Sequence, residues 1–265
     1  MNPDRLRRIR NWQSSEFYAR LVMRPLTILV MLVVADWRWL TPNMVTSGAN
    51  VAKLAGAVLL VVNHREHGVL AALCIQLGLL LDHLDGTLAR YRQSVTTFGA
   101  FYDKVSDAVT WLAITCAVGW AAYHDYGDVV LPIMAVASAY ALLVMSYMKW
   151  IVVAEQKKLD WLEARTQPPA RRSLVQPSMN PPARTPSEWG RWFASSILRI
   201  VMFEEVDLFF WIGLGLVIDR LDWVCWLLAV SQGAQLASML IKRGLQARDL
   251  DSARERLAAS ERLAA

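Results

Sequence analysis

An all-α integral membrane protein, with six transmembrane helices and an N-terminal interfacial amphipathic helix, is the fold class this sequence predicts. Three observations lead there. The 265-residue chain is 55% hydrophobic, with a mean hydropathy of +0.29. It carries 12 Trp, a residue that concentrates at membrane–water interfaces. Its charges gather into short stretches between apolar runs of about twenty residues, the length that crosses a bilayer as a helix, whereas a soluble domain disperses them.

The elements follow in order. Residues 1–43 are expected to form a cytoplasmic N-terminus and the interfacial helix. The opening MNPDRLRRIRNWQ is polar, unlike a cleaved signal peptide, so it is expected to be retained. The apolar stretch Leu26 to Val34 is short for a crossing, with Arg20, Arg24 and Pro25 before it and Asp36, Arg38 and two Trp after it. Such a segment suits the headgroup boundary. Residues 44–243 are expected to form a six-helix transmembrane domain, with spans at about 44–62, 68–90, 98–123, 130–153, 194–218 and 222–241. Within it, residues 154–193 read as a Pro-rich, basic cytoplasmic loop. Residues 244–265 read as a solvated, helical cytoplasmic tail. With this topology the cytoplasmic segments hold 21 of the 28 Lys and Arg, while the outer loops hold only Arg65 and Arg220. Positive residues stay inside, so both termini are expected in the cytoplasm.

The net charge of +5 could indicate nucleic acid, but the basic residues fall where a bilayer sorts them. No nucleic-acid partner is expected. Cys74, Cys116 and Cys225 lie in apolar runs with neither metal-ligand nor disulfide spacing, and read as packing residues.

Chemistry enters with DHLDGTLARYRQSVTTFGAFYDKVSD, Asp82 to Asp107, which puts four aspartates into segments otherwise apolar enough for membrane depth. An intramembrane carboxylate is expensive and marks function. Asp82 and Asp85 are three apart and Asp103 and Asp107 four apart, so each pair shares one helix face and two packed helices could bring all four together. Gly86, Ala89 and Gly99 are small residues that let a ligand or a helix come close. Hard oxygen ligands with room for phosphate oxygens suit Mg²⁺ or Mn²⁺, and two such ions can clamp a phosphoryl group. The plainer alternative is a paired network that only holds helices together, with Arg90 and Lys104 as counter-charges. Two cations do not balance four carboxylates, and that alternative leaves the small residues unexplained.

Asp82, Asp85, Gly86, Ala89, Arg90, Gly99, Asp103 and Asp107 fill every position of D-x2-D-G-x2-A-R-x8-G-x3-D-x3-D. This resembles the signature of the CDP-alcohol phosphotransferase (CDP-alcohol phosphatidyltransferase) family. Thr41 to Asn43 with Met44, Val45 and Thr46 is similar to the family's lead into its first transmembrane helix, and Arg24 and Pro25 with their apolar stretch to its interfacial helix. The likeness is close through the third span, and later extends only to number and length of spans. It implies a homodimeric membrane enzyme, here of a bacterial inner membrane, with its active site facing the cytoplasm. Such an enzyme transfers the phospho-alcohol part of a CDP-linked donor, most often CDP-diacylglycerol, to an acceptor alcohol and releases CMP in phospholipid synthesis. By this resemblance Asp82, Asp85, Asp103 and Asp107 hold Mg²⁺ or Mn²⁺, two ions in all. Asp107 is also the candidate base, and Asp82, Gly86, Ala89, Arg90 and Gly99 shape the nucleotide pocket.

The acceptor is less constrained. Lys149 and Arg199 would suit a phosphorylated alcohol; Glu204, Glu205 and Asp207 would suit an amine-bearing one; and Arg199 could instead pair with Glu204 or Glu205 one turn away. Trp37, Trp39, Trp150, Trp192 and Trp223 read as interfacial belt residues, and His64 and His67 as residues of an outer loop. Two other functions were weighed: transfer from a CDP-linked polar alcohol, and divalent-cation transport. A transporter favours related halves with broken helices, whereas here the acidic cluster sits near one side and the halves are not alike.

Overall fold

The fold is all-helical in the computed structural model, which describes residues 5, 8, 9, 16–166 and 185–264; among these there is no strand. A π-helical turn, Ala19–Met23, runs into α1, Arg24–Val34. Then come α2, Pro42–Tyr91, α3, Thr97–Tyr126, and α4, Val130–Thr166. After the undescribed residues 167–184 follow α5, Pro186–Leu198, a 3₁₀ turn Arg199–Met202, α6, Glu205–Val217, and α7, Leu221–Ala264. Among the described residues, four helical stretches are long and apolar enough to cross a membrane: Pro42–Tyr91, Thr97–Tyr126, Val130–Glu163 and Leu221–Ala259. Their outward faces carry rows of exposed aliphatics such as Val51, Val58 and Val62 on α2. A surface of that kind suits lipid rather than water.

The 50 residues of α2 would measure about 75 Å if straight, more than twice a hydrocarbon core. They are not straight. Asn63 leaves helical geometry with φ −163° and ψ 87°, and the chain folds back so that residue 46 meets residue 85 and residue 53 meets residue 82. α2 is therefore a hairpin of two antiparallel arms, the expected first and second spans. Two glycines allow the arms to close. A Cβ on Gly56 would lie 2.7 Å from Ile75 Cγ1 and 2.9 Å from the Ala71 carbonyl, and one on Gly78 would lie 2.6 Å from Lys53 Cγ. Gly56→Leu should therefore destabilise the protein by about 1–3 kcal/mol, the usual effect of overpacking. The check is thermal unfolding in detergent, and an unchanged midpoint would argue against close packing at this position.

The hairpin tip is helical rather than the loop expected for His64 and His67. His64 Nε2 lies 2.7 Å from Asp125 Oδ2, and Arg65 Nε donates to Asp125 Oδ1 at 2.8 Å, tying the tip to the end of α3. At the other end of the hairpin, Arg92 caps α2 and its guanidinium donates to the carbonyls of Ala35, Trp37 and Leu40. One side chain thus fixes the whole α1–α2 connection. α1 buries Thr27, Met31 and Val34, spaced four and three apart along one helix face. Met31 and Val34 join Ile9, Ala35, Val45, Leu84 and Leu88 in one apolar cluster. Its opposite face leaves Leu26, Leu29 and Val33 exposed.

Three expected boundaries shift. The stretch expected as a single fifth span, 194–218, is broken: α5 ends at Leu198, Phe203 takes a left-handed φ of 47°, and the apolar helix α6 has 13 residues. The fourth span does not stop near 153, because α4 continues to Thr166, so the first part of the expected 154–193 loop is helix. A capping box of Thr185 with Glu188 opens α5, and the Pro-rich centre of that loop lies outside the described residues. The tail beyond 244 is no separate element but the continuation of α7. The cysteines are free, and Cys116 is exposed, so it is not a core residue.

Packing divides the chain into two units, with boundaries after Ala139 in α4 and Ala229 in α7. The first contains α1, α2, α3, α6 and the candidate site. It is stitched by Tyr18, whose N–H donates to Asp207 Oδ1 at 2.8 Å and whose hydroxyl donates to Gln76 Oε1 at 2.9 Å. Gln76 in turn donates to the Phe209 carbonyl at 2.7 Å. In the second unit the ends of α4 and α7 are joined by Arg254 and Glu155, which also pairs with Lys158 at 2.6 Å, and Leu159 and Leu250 are buried.

Candidate active site

Where α2 ends and α3 begins, a cavity of about 360 Å³ opens within the first unit. Helix starts supply much of its wall. Thr41 caps α2 by accepting from Met44 N, and Pro42, Asn43 and Thr46 of that first turn line the cavity. Thr96 caps α3 by accepting from Gly99 N at 3.0 Å, and Thr96, Gly99 and Ala100 line it too. Two helix N-termini at one cavity bring the positive ends of two helix dipoles to it, a setting that favours phosphate.

The eight motif residues all line this cavity: Asp82, Asp85, Gly86, Ala89 and Arg90 from the second arm of α2, and Gly99, Asp103 and Asp107 from α3. Asp82, Asp85 and Asp103 each offer an oxygen within 4.8 Å of the others. Asp85 is 6% exposed. Its Oδ2 accepts from Thr46 Oγ1 at 2.5 Å, which fixes the carboxylate from the first arm of the hairpin. The Arg90 guanidinium lies over Gly86, where a Cβ would stand 3.3 Å from Nη1.

Asp107 is not one of the converging three, although its side chain meets that of Asp82. Its Oδ1 lies 3.2 Å from Lys53 Nζ and its Oδ2 3.4 Å from Lys104 Nζ. Lys53 also reaches Asp82 Oδ1 at 3.1 Å, and Lys104 reaches Asp103 Oδ2 at 3.1 Å. Sequence reasoning passed over Glu16 and His83 on the cavity wall, and also Lys53 against Asp82 and Asp107. The only signal for Lys53 was one basic residue within the apolar run of the first span, since its partners are 29 and 54 positions away. With Lys53 counted, three cations face four carboxylates. The cluster is better balanced than the sequence suggested, yet still short of positive charge. Hard carboxylate oxygens converging this closely fit Mg²⁺ or Mn²⁺ by donor type.

The remaining expectations are placed differently. Arg199 lies in the 3₁₀ turn and does not line the cavity, while Lys149 belongs to the second unit. Trp37 and Trp39 are stacked on each other, and these two, Trp150 and Trp223 are all exposed. Trp192 carries the Arg20 guanidinium 4.9 Å above its ring.

Glu16 and Val206 complete the cavity rim. Asp207, fully buried, accepts the Tyr18 N–H and so draws the N-terminal segment against the start of α6. Burial, followed by the neighbouring carboxylates of Glu204, Asp207 and Glu205, pushes the Glu16 carboxyl up from 4.5 to about 7. The folded state then holds a proton that the unfolded chain has released. Between pH 4.5 and about 7 the folded form binds more protons, so this group's contribution to stability is full below that window and lost as pH rises through it. At 1.36 kcal/mol per unit the loss is at most about 3 kcal/mol. Glu16→Gln should therefore raise the unfolding midpoint at pH 8 while changing little at pH 4.5, read as a difference from wild type across that range. Equal shifts at both pH values would count against a protonated Glu16.

Comparison with known proteins completes the description. A family model described as CDP-alcohol phosphatidyltransferase matches residues 39–173. Phosphatidylinositol phosphate synthase of Mycobacterium tuberculosis (strain ATCC 25618 / H37Rv) is 34% identical over 111 residues, 42% of this chain and 50% of that protein. An uncharacterized protein of Aquifex aeolicus (strain VF5) is 34% identical over 106 residues, 38% of this chain and 52% of its own length. The chain thus spans about half the length of the curated relatives it matches. In fold it is similar to the crystal structure of Mycobacterium tuberculosis phosphatidylinositol phosphate synthase (PgsA1) with CDP-DAG bound. The TM-score is 0.52 at 22% identity, covering 84% of this chain and 93% of that one.

Proposed function

The chain belongs to the CDP-alcohol phosphatidyltransferase family, a family of transferases, and from that premise we propose that it moves a phosphatidyl group from CDP-diacylglycerol to an acceptor alcohol, releasing CMP in phospholipid biosynthesis. The observation that carries this reading is the convergence of Asp82, Asp85 and Asp103 within 4.8 Å beside two helix N-termini. A diphosphate needs both features, carboxylates to seat a divalent cation and positive helix ends to receive its own oxygens. Mg²⁺ or Mn²⁺ on those three carboxylates would neutralise charge on the diphosphate and on departing CMP.

The chain's own residues do the rest. Gly86, Ala89, Arg90 and Gly99 shape the nucleotide pocket, with Arg90 poised over Gly86 as a cation for phosphate or ribose. The acceptor oxygen attacks the phosphatidyl phosphorus. A new P–O bond forms there, the bond to the bridging oxygen breaks, and CMP leaves with that electron pair. Asp107, outside the convergent three, accepts the proton of the attacking hydroxyl. CDP-DAG as donor is supported by its presence in the solved relative of the same fold. The names of the curated relatives favour a phosphorylated polyol as acceptor.

The same reading sets the protein in the membrane. Six crossings are proposed: the two arms of α2, then α3, α4, α6 and α7, with 44–243 as the catalytic domain. α1 lies in the interface, its exposed Leu26, Leu29 and Val33 entering the acyl boundary. The distribution of Lys and Arg puts both termini and the site on the cytoplasmic side of a bacterial inner membrane, where the chain works as a homodimer.

The test is to incubate purified protein with CDP-diacylglycerol, Mg²⁺ or Mn²⁺, and a panel containing inositol phosphate, glycerol phosphate, inositol and serine. CMP release and the mass of the lipid product are then measured. CMP should form with metal and one phosphorylated acceptor, and cease with EDTA. Absence of CMP with every acceptor would remove the proposed reaction.

A further inference from the structure

The motif does not account for Lys53, yet the fold builds a place for it. Its side chain is 2% exposed, and its Nζ stands between Asp82 Oδ1 at 3.1 Å and Asp107 Oδ1 at 3.2 Å. The stem is held as firmly as the head. It crosses the hairpin over Gly78, where a Cβ would come within 2.6 Å of Lys53 Cγ, and the ammonium lies 5.7 Å from the centre of the Phe209 ring. Lys104 takes the other oxygen of Asp107 at 3.4 Å. Both oxygens of Asp107 are thus engaged by ammonium groups, whereas the set of oxygens that converge within 4.8 Å comes from Asp82, Asp85 and Asp103.

Resting on the metal reading above, we propose that this chain seats one divalent cation, on Asp82, Asp85 and Asp103, and that the Lys53 ammonium fills the second cation position, between Asp82 and Asp107. A metal ion bridging Asp82 and Asp107 would have to lie about 2.0–2.1 Å from an oxygen of each. It would compete with Lys53 for the same lone pairs and meet its charge at contact distance in a weakly screening interior, where like charges repel strongly. Its 2% exposure and the packing of its stem over Gly78 leave the lysine little room to swing out. Lys53 is then a positioning residue. It supplies fixed positive charge and holds Asp107 near the cavity without tying it to an ion.

Mn²⁺ titration followed by electron paramagnetic resonance of the purified full chain tests this without reference to turnover. Wild type should bind one Mn²⁺ per chain, with no spin-coupled signal from a neighbouring ion. Lys53→Met, of similar length but uncharged, should bind two, and Lys53→Arg should return the number to one. Two coupled ions in wild type would overturn the proposal and leave the metal reading standing, and that result depends on no variant folding. A single ion in Lys53→Met would also overturn it, because the second position would not have been freed. No Mn²⁺ bound by wild type would remove the metal reading itself, together with this inference.

Discussion

Asp107→Asn should lower the rate of CMP release roughly 10²–10⁴-fold, the usual contribution of a positioned general base, while Mn²⁺ affinity stays within a few-fold of wild type. The two effects separate because Asp107 lies outside the converging carboxylates Asp82, Asp85 and Asp103. Its oxygens face Lys53 and Lys104 at 3.2 and 3.4 Å instead. The amide keeps the shape and can still accept a hydrogen bond from one ammonium, but it cannot take a proton from an alcohol. Single-turnover release of CMP, measured beside Mn²⁺ binding, distinguishes the outcomes. A rate near wild type would take Asp107 out of the proton transfer. Equal losses in rate and Mn²⁺ binding would make it a metal ligand.

Much of this site is legible in the sequence because its parts are local. Asp82 and Asp85, or Asp103 and Asp107, are spaced by one helical turn, so each pair must share a face whatever the rest of the fold does. The break between the first two arms is also readable, since NHREHG interrupts two apolar runs at 63–68 and the chain turns at Asn63. What could not be read are contacts made across the hairpin. Thr46 meets Asp85 from 39 positions away and Lys53 meets Asp107 from 54. No periodicity encodes those distances. A lone lysine in an apolar segment looks like a tolerated exception until its partners are placed. The broken fifth segment escaped for another reason. An average over twenty apolar residues does not register a left-handed Phe203 or the start of a new helix at Glu205. Nor does it show that Asp207, buried in that helix, is spent on the Tyr18 N–H rather than on a substrate.

The hairpin also explains how carboxylates can stand at membrane depth before any substrate arrives. Folding brings Lys104 from α3 and Arg90 from the second arm to the cavity wall, and sets Lys53 from the first arm against Asp82 and Asp107. Partial neutralisation keeps four negative charges from driving the helices apart, at distances where the low dielectric makes both attraction and repulsion large. It remains incomplete by one charge, which leaves the pocket with a net demand for a cation. A fully balanced network would hold helices together and bind nothing.

Asp85→Asn should have the larger effect on metal, and Thr46→Val should reproduce a small part of it. Asp85 is 6% exposed and commits Oδ2 to Thr46 Oγ1 at 2.5 Å, which leaves Oδ1 for an ion. Removing its charge takes one of three converging ligands and about 4 kcal/mol of charge stabilisation, of the order a bound metal supplies to phosphoryl oxygens, so activity should fall about 10³-fold. Thr46→Val keeps the volume and deletes the hydroxyl. The carboxylate then loses its orienting donor but not its charge, and groups that orient a metal ligand are typically worth roughly 10–100-fold in affinity or rate. Thr46→Ser should recover most of that loss. Mn²⁺ affinity and CMP release should decline together in all three variants, because the hydroxyl acts only through Asp85. If Thr46→Val impaired turnover at unchanged Mn²⁺ affinity, the hydroxyl would instead be meeting the substrate directly. Its place on the cavity wall, one turn into α2, would allow that contact.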